Sequence, residues 1–325
     1  MDEKLNAFLS FQKTNLSKGQ LFCLKILKFI IGLTFIFLLF KGNTNTNKNI
    51  PTWTEVKHDL ELLIDEYKYL MNSDKIIEED SPIWMMWYQG IENAPPIVLS
   101  CIQSVINNRG KHPIILISKY NLEKYIKLPK YITEKFNNKT FTITHLSDIV
   151  RFALLQKYGG YWIDATYLLI NTPLNKVNTT FYTLKLKDCF PHPFITCQWC
   201  GNFIASSKNS FFATYGYQAF LNYWYKYNSL IDYFLIDYII SVLYNKEKKF
   251  KEKINELPLV ACNTFSLVRK FNDKYNEKDF QCSFNKLGKG GDWVTSKDAK
   301  STNYGFILEK YKFNAKNVNE SLIVT

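Results

Sequence analysis

Apolar and polar segments alternate along most of the chain in a pattern that predicts an α/β fold. The stretches "PIWMMWYQG" (residues 82–90) and "HPIILIS" (112–118) are short apolar runs typical of buried strands. Between them, Pro95 and Pro96 open an apolar helix that extends to about Asn108. A strand, a helix and a second strand in succession indicate an α/β sheet.

The middle of the chain continues this pattern. The stretch "TFTITHL" (140–146) alternates as a strand, and Ser147 is a suitable N-cap for the helix that follows. Gly159 is suited to end that helix in a left-handed conformation, and "YWIDATYLLI" (161–170) predicts one buried strand. Later elements are predicted as strands at 181–186 and 202–207, helices at about 209–227 and 232–245, and a mobile glycine-bearing loop at 286–305.

The most hydrophobic stretch lies near the start of the chain, at residues 21–40. Two lysines leave only Phe29–Phe40 free of charge, which is shorter than the roughly 20 apolar residues of a comfortable membrane span. Several lysines and the lack of a small-residue cleavage site favour an uncleaved anchor or an interfacial helix over a signal peptide. We therefore assign residues 1–50 to membrane attachment with a polar tether, and residues 51–325 to one working domain.

Composition and charge narrow the classes of function. The chain has 325 residues, 46% of them hydrophobic, which is enough for a sizeable core. A net charge of +12 indicates an anionic partner such as a nucleotide diphosphate, an anionic membrane or a nucleic acid. Nucleic acid is disfavoured, because the chain has no run of five basic residues and no zinc-finger, helix-turn-helix or RNA-recognition signature.

Seven cysteines are scattered through the chain, an odd number that favours a reducing compartment. One stretch, "CFPHPFITCQWC", contains four side chains of the types that bind zinc, Cys189, His192, Cys197 and Cys200. Their spacing matches no standard structural zinc site well. A loop with incidental thiols is the alternative interpretation.

The stretch "SDIVRFALLQKYGGYWIDATYLL" carries the candidate chemistry. Asp148 and Arg151 are three residues apart and would share one face of a helix. Asp164 would emerge at the carboxyl end of a central strand, the edge where open α/β sheets bind ligands. Carboxylates beside an arginine suit a divalent cation, a sugar hydroxyl or a phosphate. The alternative is a structural surface pair plus an aspartate in a turn.

This order of Ser-Asp-x-x-Arg, Tyr-Gly-Gly and an Asp two residues beyond an aromatic resembles the donor-site signature of sugar-transferring enzymes with a GT-A fold. More closely, "SDIVRFALLQKYGGYWIDAT" resembles the capsular polysaccharide synthesis protein family, which is related to glycosyltransferase family 32. "IWMMWYQGIENAPPIVLSCIQSV", "NFIASSKN" and "FFAT...LIDYFLIDY" also resemble family segments in the expected order, so the resemblance covers roughly residues 80–245. It implies one α/β domain of the GT-A class, a Rossmann-like nucleotide-diphospho-sugar transferase fold.

The resemblance also implies roles for particular residues. Asp148 and Arg151 are expected to contact the nucleotide sugar, and Asp164 to be the first acid of the DxD motif, touching donor and metal. Trp87 is expected to stack on the donor base, with a core aromatic as its alternative. Gly160, in the Tyr-Gly-Gly turn, is expected to belong to the donor-binding set.

One position departs from the DxD pattern. The second acid is Thr166 here, and a neutral hydroxyl is a weaker ligand for a hard cation than a carboxylate. The resemblance therefore implies a Mn²⁺ or Mg²⁺ ion at Asp164 and Thr166, whereas the threonine weakens the case for it.

Two further groups of residues are candidates for the acceptor side and for a lid. Asp232 and Asp237 lie five residues apart and would reach the acceptor, or else be solvated helix charges. The 286–305 loop would either close over the diphosphate or remain a surface loop; its candidate contacts are Lys286, Lys289 and Trp293.

Together these features predict a membrane-associated glycosyltransferase that moves a hexose from a nucleotide-diphosphate sugar, preferably a UDP-sugar, to a polysaccharide or lipid-linked saccharide with retention. The alternatives are a non-catalytic, membrane-bound nucleotide-sugar-binding scaffold and a charge-driven binder of nucleic acid or anionic membrane. By the positive-inside rule, the lysines before the apolar segment predict that the domain lies on the non-cytoplasmic side of the membrane. In a bacterium, however, the nucleotide-sugar donor is in the cytosol. An interfacial helix reconciles the two and predicts a cytoplasmic domain on a bacterial inner membrane, or a Golgi-lumenal one in a eukaryote.

Overall fold

The computed structural model describes residues 50–72, 75–174, 178–189, 192, 194, 196–290 and 301–314. Apart from Ile50, the predicted membrane-attachment segment lies outside the described residues, and so does Trp293. None of the helices in the described ranges is long and apolar enough to cross a membrane.

A mixed five-stranded sheet lies at the centre of the described part of the chain. The strands are β1 (Ile83–Met86), β2 (Ile114–Ile117), β3 (Gly160–Ile163), β4 (Tyr167–Leu169), β5 (Phe181–Thr183), β6 (Lys185–Leu186), β7 (Phe203–Ser206), β8 (Leu259–Val260) and β9 (Phe284–Lys286). The central sheet has the order β2–β1–β3–β7–β5, with β1 parallel to both neighbours and β7 antiparallel to both of its own. Separately, β4 pairs antiparallel with β9, and β6 pairs parallel with β8.

Helices cover the sheet on both faces. They are α1 (Trp53–Tyr67), α2 (Pro96–Asn108), α3 (Leu122–Tyr125), α4 (Lys130–Asn137), α5 (Ile143–Tyr158), α6 (Phe211–Lys226), α7 (Leu235–Lys246), α8 (Lys248–Glu256) and α9 (Asn303–Lys310). Side chains of β1 alternate between two cores: Trp84 packs with α1, α5, α6 and α7, whereas Ile83 and Met85 pack with α2, β4 and α9. A strand buried on both faces reads as a continuous apolar run, which is why "PIWMMWYQG" shows no polar alternation.

The prediction of a strand at 140–146 is wrong, because α5 begins within this stretch. Ser147 is therefore inside the helix rather than at its N-cap, and its hydroxyl donates to a backbone carbonyl one turn earlier at 2.6 Å. Leu146, Ile149 and Ala153 all pack into one core at helical spacing. The helical period outweighs a strand alternation that spans only a few residues.

The glycine pair after α5 behaves as the sequence predicts at its first position. Gly159 has φ 71° and ends the helix, with its N–H donating to the carbonyl of Leu155 at 2.9 Å. Gly160 has φ 96°, and a Cβ there would lie 2.1 Å from the carbonyl oxygen of Pro82. Only glycine permits this close approach of β3 to the chain that enters β1.

The stretch 161–170 is two strands rather than one. A turn at Asp164, Ala165 and Thr166 separates β3 from β4, and the N–H of Tyr167 donates to the carbonyl of Asp164 at 3.0 Å. The aspartate favours a turn here, and β4 then leaves the central sheet to pair with β9. The predicted position of Asp164 at the carboxyl end of a central strand is confirmed.

The expectation of free thiols is wrong for four cysteines. Disulfides connect Cys189 with Cys197 and Cys262 with Cys282, while the thiols of Cys101 and Cys200 are free and buried. The first disulfide also removes two of the four candidate zinc ligands. Across the described ranges, no group of three or more His, Cys, Asp or Glu side chains is arranged to hold a metal ion.

Candidate functional site

Two clefts open at the carboxyl edge of the parallel strands β1, β2 and β3. The first, which we call the charged cleft, has a volume of about 350 Å³ and lies beyond β3. Its lining comprises Thr144, Ser147, Asp148, Arg151, Asp164, Leu186, Cys189, Trp199, Cys200, Gly201, Asn202, Tyr233, Phe234, Ile236, Asp237, Phe265 and Lys286. The second, the aromatic cleft, has a volume of about 290 Å³ and lies beyond β1 and β2; its lining includes Trp87, Gly90, Ile91, Ser118, Tyr120, Asn121, Lys124 and Tyr125.

Arg151 joins the two predicted acidic positions in the charged cleft. Its Nη1 lies 3.1 Å from Asp148 Oδ1, and its Nη2 lies 3.1 Å from Asp164 Oδ1. The prediction that Asp148 and Arg151 share a helix face is confirmed, but the alternative of a surface pair is wrong, because they are only 5% and 3% exposed. The guanidinium also donates to the carbonyl of Gly201 and lies 5.0 Å from the Trp162 ring centroid.

Asp164 accepts hydrogen bonds at both carboxylate oxygens. Trp162 Nε1 donates to Oδ1 at 2.9 Å beside Arg151, and Lys286 Nζ lies 2.8 Å from Oδ2. Burial by itself would raise the pKa of Asp164, but the Lys286 ammonium and the Arg151 guanidinium outweigh it and lower that pKa. Asp164 is therefore an ionised carboxylate held in one orientation.

Lys286 comes to the charged cleft on a strand, not on the mobile loop that the sequence predicts. It ends β9, opposite Tyr167 of β4, and its Nζ donates to Thr166 Oγ1 at 2.6 Å as well as to Asp164. Residues 291–300 of the predicted loop lie outside the described residues, while Lys289 is exposed. The contact depends on pairing between β4 and β9, so no local pattern signals it.

The donor set at Asp164 and Thr166 fits a divalent cation poorly. Such ions prefer several carboxylate, carbonyl or water oxygens, whereas this pair offers one carboxylate and one neutral hydroxyl, both already bonded to an ammonium. A divalent ion about 4 Å from the Lys286 ammonium would meet a repulsion of about 8 kcal/mol at an effective dielectric constant of about 20. Metal binding at these two residues stays a prediction.

The structure separates the two aspartates predicted for the acceptor side. Asp237 lines the charged cleft, where Trp199 Nε1 donates to its Oδ1 at 3.0 Å and burial raises its pKa to about 6. Asp232 is outside that lining and accepts from the backbone N–H of Phe234 at 2.8 Å. Burial also raises the pKa of Asp148, to about 7, against the opposing charge of Arg151.

Of the two remaining donor-site candidates, Trp87 lines the aromatic cleft and Gly160 does not. Trp87 follows β1, and its buried Nε1 has no hydrogen-bond partner among the described residues. Tyr120, which is 69% exposed, also lines this cleft. Gly160 begins β3 at the end opposite to Asp164, so the structure does not bring it to either cleft. Its contact with a donor stays a prediction.

Several residues of the charged cleft have no counterpart among the sequence-based candidates. Trp199, Asn202, Tyr233 and Phe265 lie in loops between distant elements. Asn202 connects the cleft to β4, because the hydroxyl of Tyr167 donates to its Oδ1 at 2.8 Å. Aromatic and amide residues of this kind carry no spacing signal, so one sequence alone does not single them out.

Comparison with known proteins gives one family. The model of the family described as "Capsular polysaccharide synthesis protein" matches residues 37–287, well over half of the chain. Two curated relatives are similar at low identity. The O-glycosyltransferase braB of Annulohypoxylon truncatum is 28% identical over 130 residues, 37% of this chain and 27% of that protein. The O-glycosyltransferase PaGT of Phomopsis amygdali is 25% identical over 107 residues, 30% of this chain and 26% of that protein.

The chain thus matches about a quarter of the length of each of these two relatives. Among solved structures, the PaToxG glycosyltransferase aligns with a TM-score of 0.36 and 14% sequence identity. The alignment covers 62% of this chain and 82% of that one.

Proposed function

Since the chain belongs to the capsular polysaccharide synthesis protein family, we propose that it is a GT-A-type glycosyltransferase that moves a hexose from a nucleotide-diphosphate sugar to a saccharide hydroxyl. The observation that carries this proposal is the contact of Asp164 with both Arg151 and Lys286 in the charged cleft. One fixed carboxylate between two cations suits a ligand that combines sugar hydroxyls with phosphate oxygens.

The two clefts divide the donor between them in this proposal. The sugar and diphosphate occupy the charged cleft, and the base lies against Trp87 in the aromatic cleft. The neighbouring, parallel positions of β1 and β3 support this division, because their carboxyl ends meet at one edge of the sheet. We take UDP-sugars as the first donors to test.

The proposed reaction breaks the bond between C1 of the sugar and the β-phosphate oxygen, and the electron pair leaves with the nucleoside diphosphate. The acceptor oxygen forms the new bond to C1, and its proton passes to the departing phosphate oxygen. Asp164, held ionised, stabilises the positive charge that develops on the sugar, and Arg151 stabilises the diphosphate. Delivery from the face that the diphosphate leaves retains the anomeric configuration.

The acceptor, in this proposal, enters the charged cleft beside the donor sugar. The lining of that cleft includes Asp237 and the aromatic side chains of Trp199, Tyr233 and Phe265. Aromatic rings pack against the apolar faces of sugars, and a carboxylate accepts from their hydroxyls. A polysaccharide or lipid-linked saccharide of surface-polysaccharide synthesis fits this lining, with the membrane reached through residues 21–40.

The two disulfides indicate the kind of cellular compartment in which this domain works. Disulfides persist in oxidising compartments and are rare in the cytosol. The two bonds, Cys189–Cys197 and Cys262–Cys282, therefore support the lumenal alternative for this domain over the cytoplasmic one.

A thermal-shift panel of nucleotide sugars, run with and without Mn²⁺, tests the proposed function. One donor should raise the melting temperature of the wild type by several degrees, because a ligand that binds only the folded state stabilises it. Asp164→Ala should abolish this shift and lower donor hydrolysis by about a hundredfold or more. The matched control is Asp80→Ala, an exposed aspartate outside both clefts.

Two results would count against the proposal in different ways. If no nucleotide sugar stabilises the wild type, the donor assignment fails. If a donor binds but hydrolysis and transfer are equal in the wild type and Asp164→Ala, the chain is a nucleotide-sugar-binding scaffold.

A further inference from the structure

We propose that Lys286 is a built-in cation that binds the donor diphosphate, so that nucleoside diphosphates bind without a divalent metal ion. This inference rests on the proposed function and deepens it, because it names the group that neutralises the leaving diphosphate. It follows from how the ammonium of Lys286 is held against Asp164 and Thr166.

The backbone fixes Lys286 from both sides. Its N–H donates to the carbonyl of Thr264 at 2.9 Å, and the next N–H, of Leu287, donates to the carbonyl of Thr166 at 2.9 Å. Residue 286 is also in register with Tyr167 across the pairing of β9 with β4. The stem of the lysine therefore starts from a strand that is tied to the same turn that carries Asp164.

The ammonium occupies the space between the two positions of the DxD-like turn. Its Nζ lies 2.8 Å from Asp164 Oδ2 and 2.6 Å from Thr166 Oγ1. An ammonium group has three N–H donors, so one donor is left after these two contacts. The side chain of Lys286 is 17% exposed and lines the charged cleft, so the remaining donor is within reach of an anion there.

Thr166 and Lys286 complement one another chemically. A hydroxyl accepts one N–H from the ammonium and adds no charge, so Asp164 is the single anionic partner of Lys286 among the described residues. With a carboxylate at residue 166, the turn would present two anions and favour a metal ion. With threonine, part of the ammonium's charge remains for a ligand.

The ligand that meets this charge is a diphosphate. Arg151 and Lys286 reach Asp164 through different oxygens, so they stand on two sides of one carboxylate. Phosphate oxygens entering beside Asp164 would accept charge-assisted hydrogen bonds from lysine and arginine. When the bond to C1 breaks, the diphosphate gains one negative charge, and the same two cations stabilise it.

Calorimetric titration of the full chain tests the inference, with UDP and uridine as probes and with either EDTA or Mn²⁺ present. In the wild type, UDP should bind with the same affinity in both conditions, within about twofold. Lys286→Met should weaken UDP binding at least about tenfold and leave uridine binding unchanged, because only UDP carries the diphosphate. Lys286→Arg keeps the charge and should retain more of the UDP affinity than Lys286→Met.

The matched control is Lys278→Met, which removes an exposed lysine outside both clefts. It should bind UDP as the wild type does, and the melting temperature of each variant without ligand shows whether it is folded. If Lys286→Met does not fold, the comparison of EDTA with Mn²⁺ in the wild type, together with Lys286→Arg, decides.

The outcomes separate this inference from the proposed function. Binding of UDP only when Mn²⁺ is present overturns the inference and leaves the proposed function intact. Equal UDP affinities of Lys286→Met and Lys278→Met also overturn it. Binding of UDP in neither condition also overturns the inference and removes UDP-sugars as donors, whereas the proposed function is then decided by the other nucleotide sugars of the thermal-shift panel.

Discussion

The charged cleft and the aromatic cleft lie at the same edge of one sheet but are built in different ways. The charged cleft contains a continuous chain of ion pairs that joins α5, the turn after β3 and the end of β9; its members are Asp148, Arg151, Asp164 and Lys286. The aromatic cleft is formed by the chain just after β1 and β2, and its Trp87 has an indole N–H with no hydrogen-bond partner among the described residues. Arg151 Nε in the charged cleft also has no partner among the described residues, so the difference between the clefts is the ion pairs that hold the first one together.

This difference predicts different costs of substitution. Groups in the charged cleft compensate one another, so removing one leaves a buried charge without its partner. Groups in the aromatic cleft act more independently, so a substitution there should cost ligand affinity more than stability.

The largest effect is expected at Arg151. Arg151→Met should lower the free energy of unfolding by about 3–5 kcal/mol, because the ion pairs with Asp148 and Asp164 are lost and the buried Asp148 carboxyl must then take up a proton. Combining it with Asp148→Asn should recover part of this loss, since both charges are then absent. Urea denaturation near neutral pH measures both values.

Arg269→Met is the matched control for Arg151, because Arg269 is exposed. Its free energy of unfolding should stay within about 0.5 kcal/mol of the wild type. A loss below about 1 kcal/mol for Arg151→Met would show that the ion-pair chain contributes little to the fold.

The next effect concerns the disulfide that precedes β9. Cys262 and Cys282 close a loop of 20 residues just before the strand that carries Lys286. Replacing both cysteines by serine should lower the free energy of unfolding by about 3 kcal/mol, because the unfolded chain is less constrained. It should also weaken UDP binding while uridine binding stays unchanged, since only the charged cleft depends on β9.

Thiol labelling of the denatured chain provides an independent check of this bond. Without reductant, Cys189, Cys197, Cys262 and Cys282 should not react, because they are paired with one another in two disulfides. Seven reactive thiols in freshly purified protein would contradict both disulfides and remove the support for an oxidising compartment.

The two clefts also differ in how far the sequence predicts them. The shared face of Asp148 and Arg151 follows from a spacing of three on a helix, and the position of Asp164 follows from an apolar run that ends a strand. Both are local properties. The contact of Lys286 with Asp164 instead requires β4 to leave the central sheet and pair with β9, which no local pattern encodes.

The same limit explains the errors in the predicted fold. The stretch 161–170 is uniformly apolar around Asp164, so its pattern does not show that its two halves belong to different sheets. At 140–146 a short alternation competes with the helical period that starts at Leu146, and packing against the sheet decides for the helix. Cysteine pairing likewise depends on which loops meet, not on spacing.

The smallest effect is expected in the aromatic cleft. Trp87→Ala should weaken UDP and uridine binding by the same factor, worth about 1–3 kcal/mol, because a stacked base contributes equally to both ligands. Trp87→Phe, which keeps a ring, should retain most of the affinity. Calorimetric titration of UDP and of uridine into the Trp87 variants and into Lys286→Met measures these affinities. Lys286→Met should weaken the binding of UDP alone. If Trp87→Ala weakens UDP but not uridine, the aromatic cleft does not hold the base, and the proposed division of the donor between the two clefts is wrong.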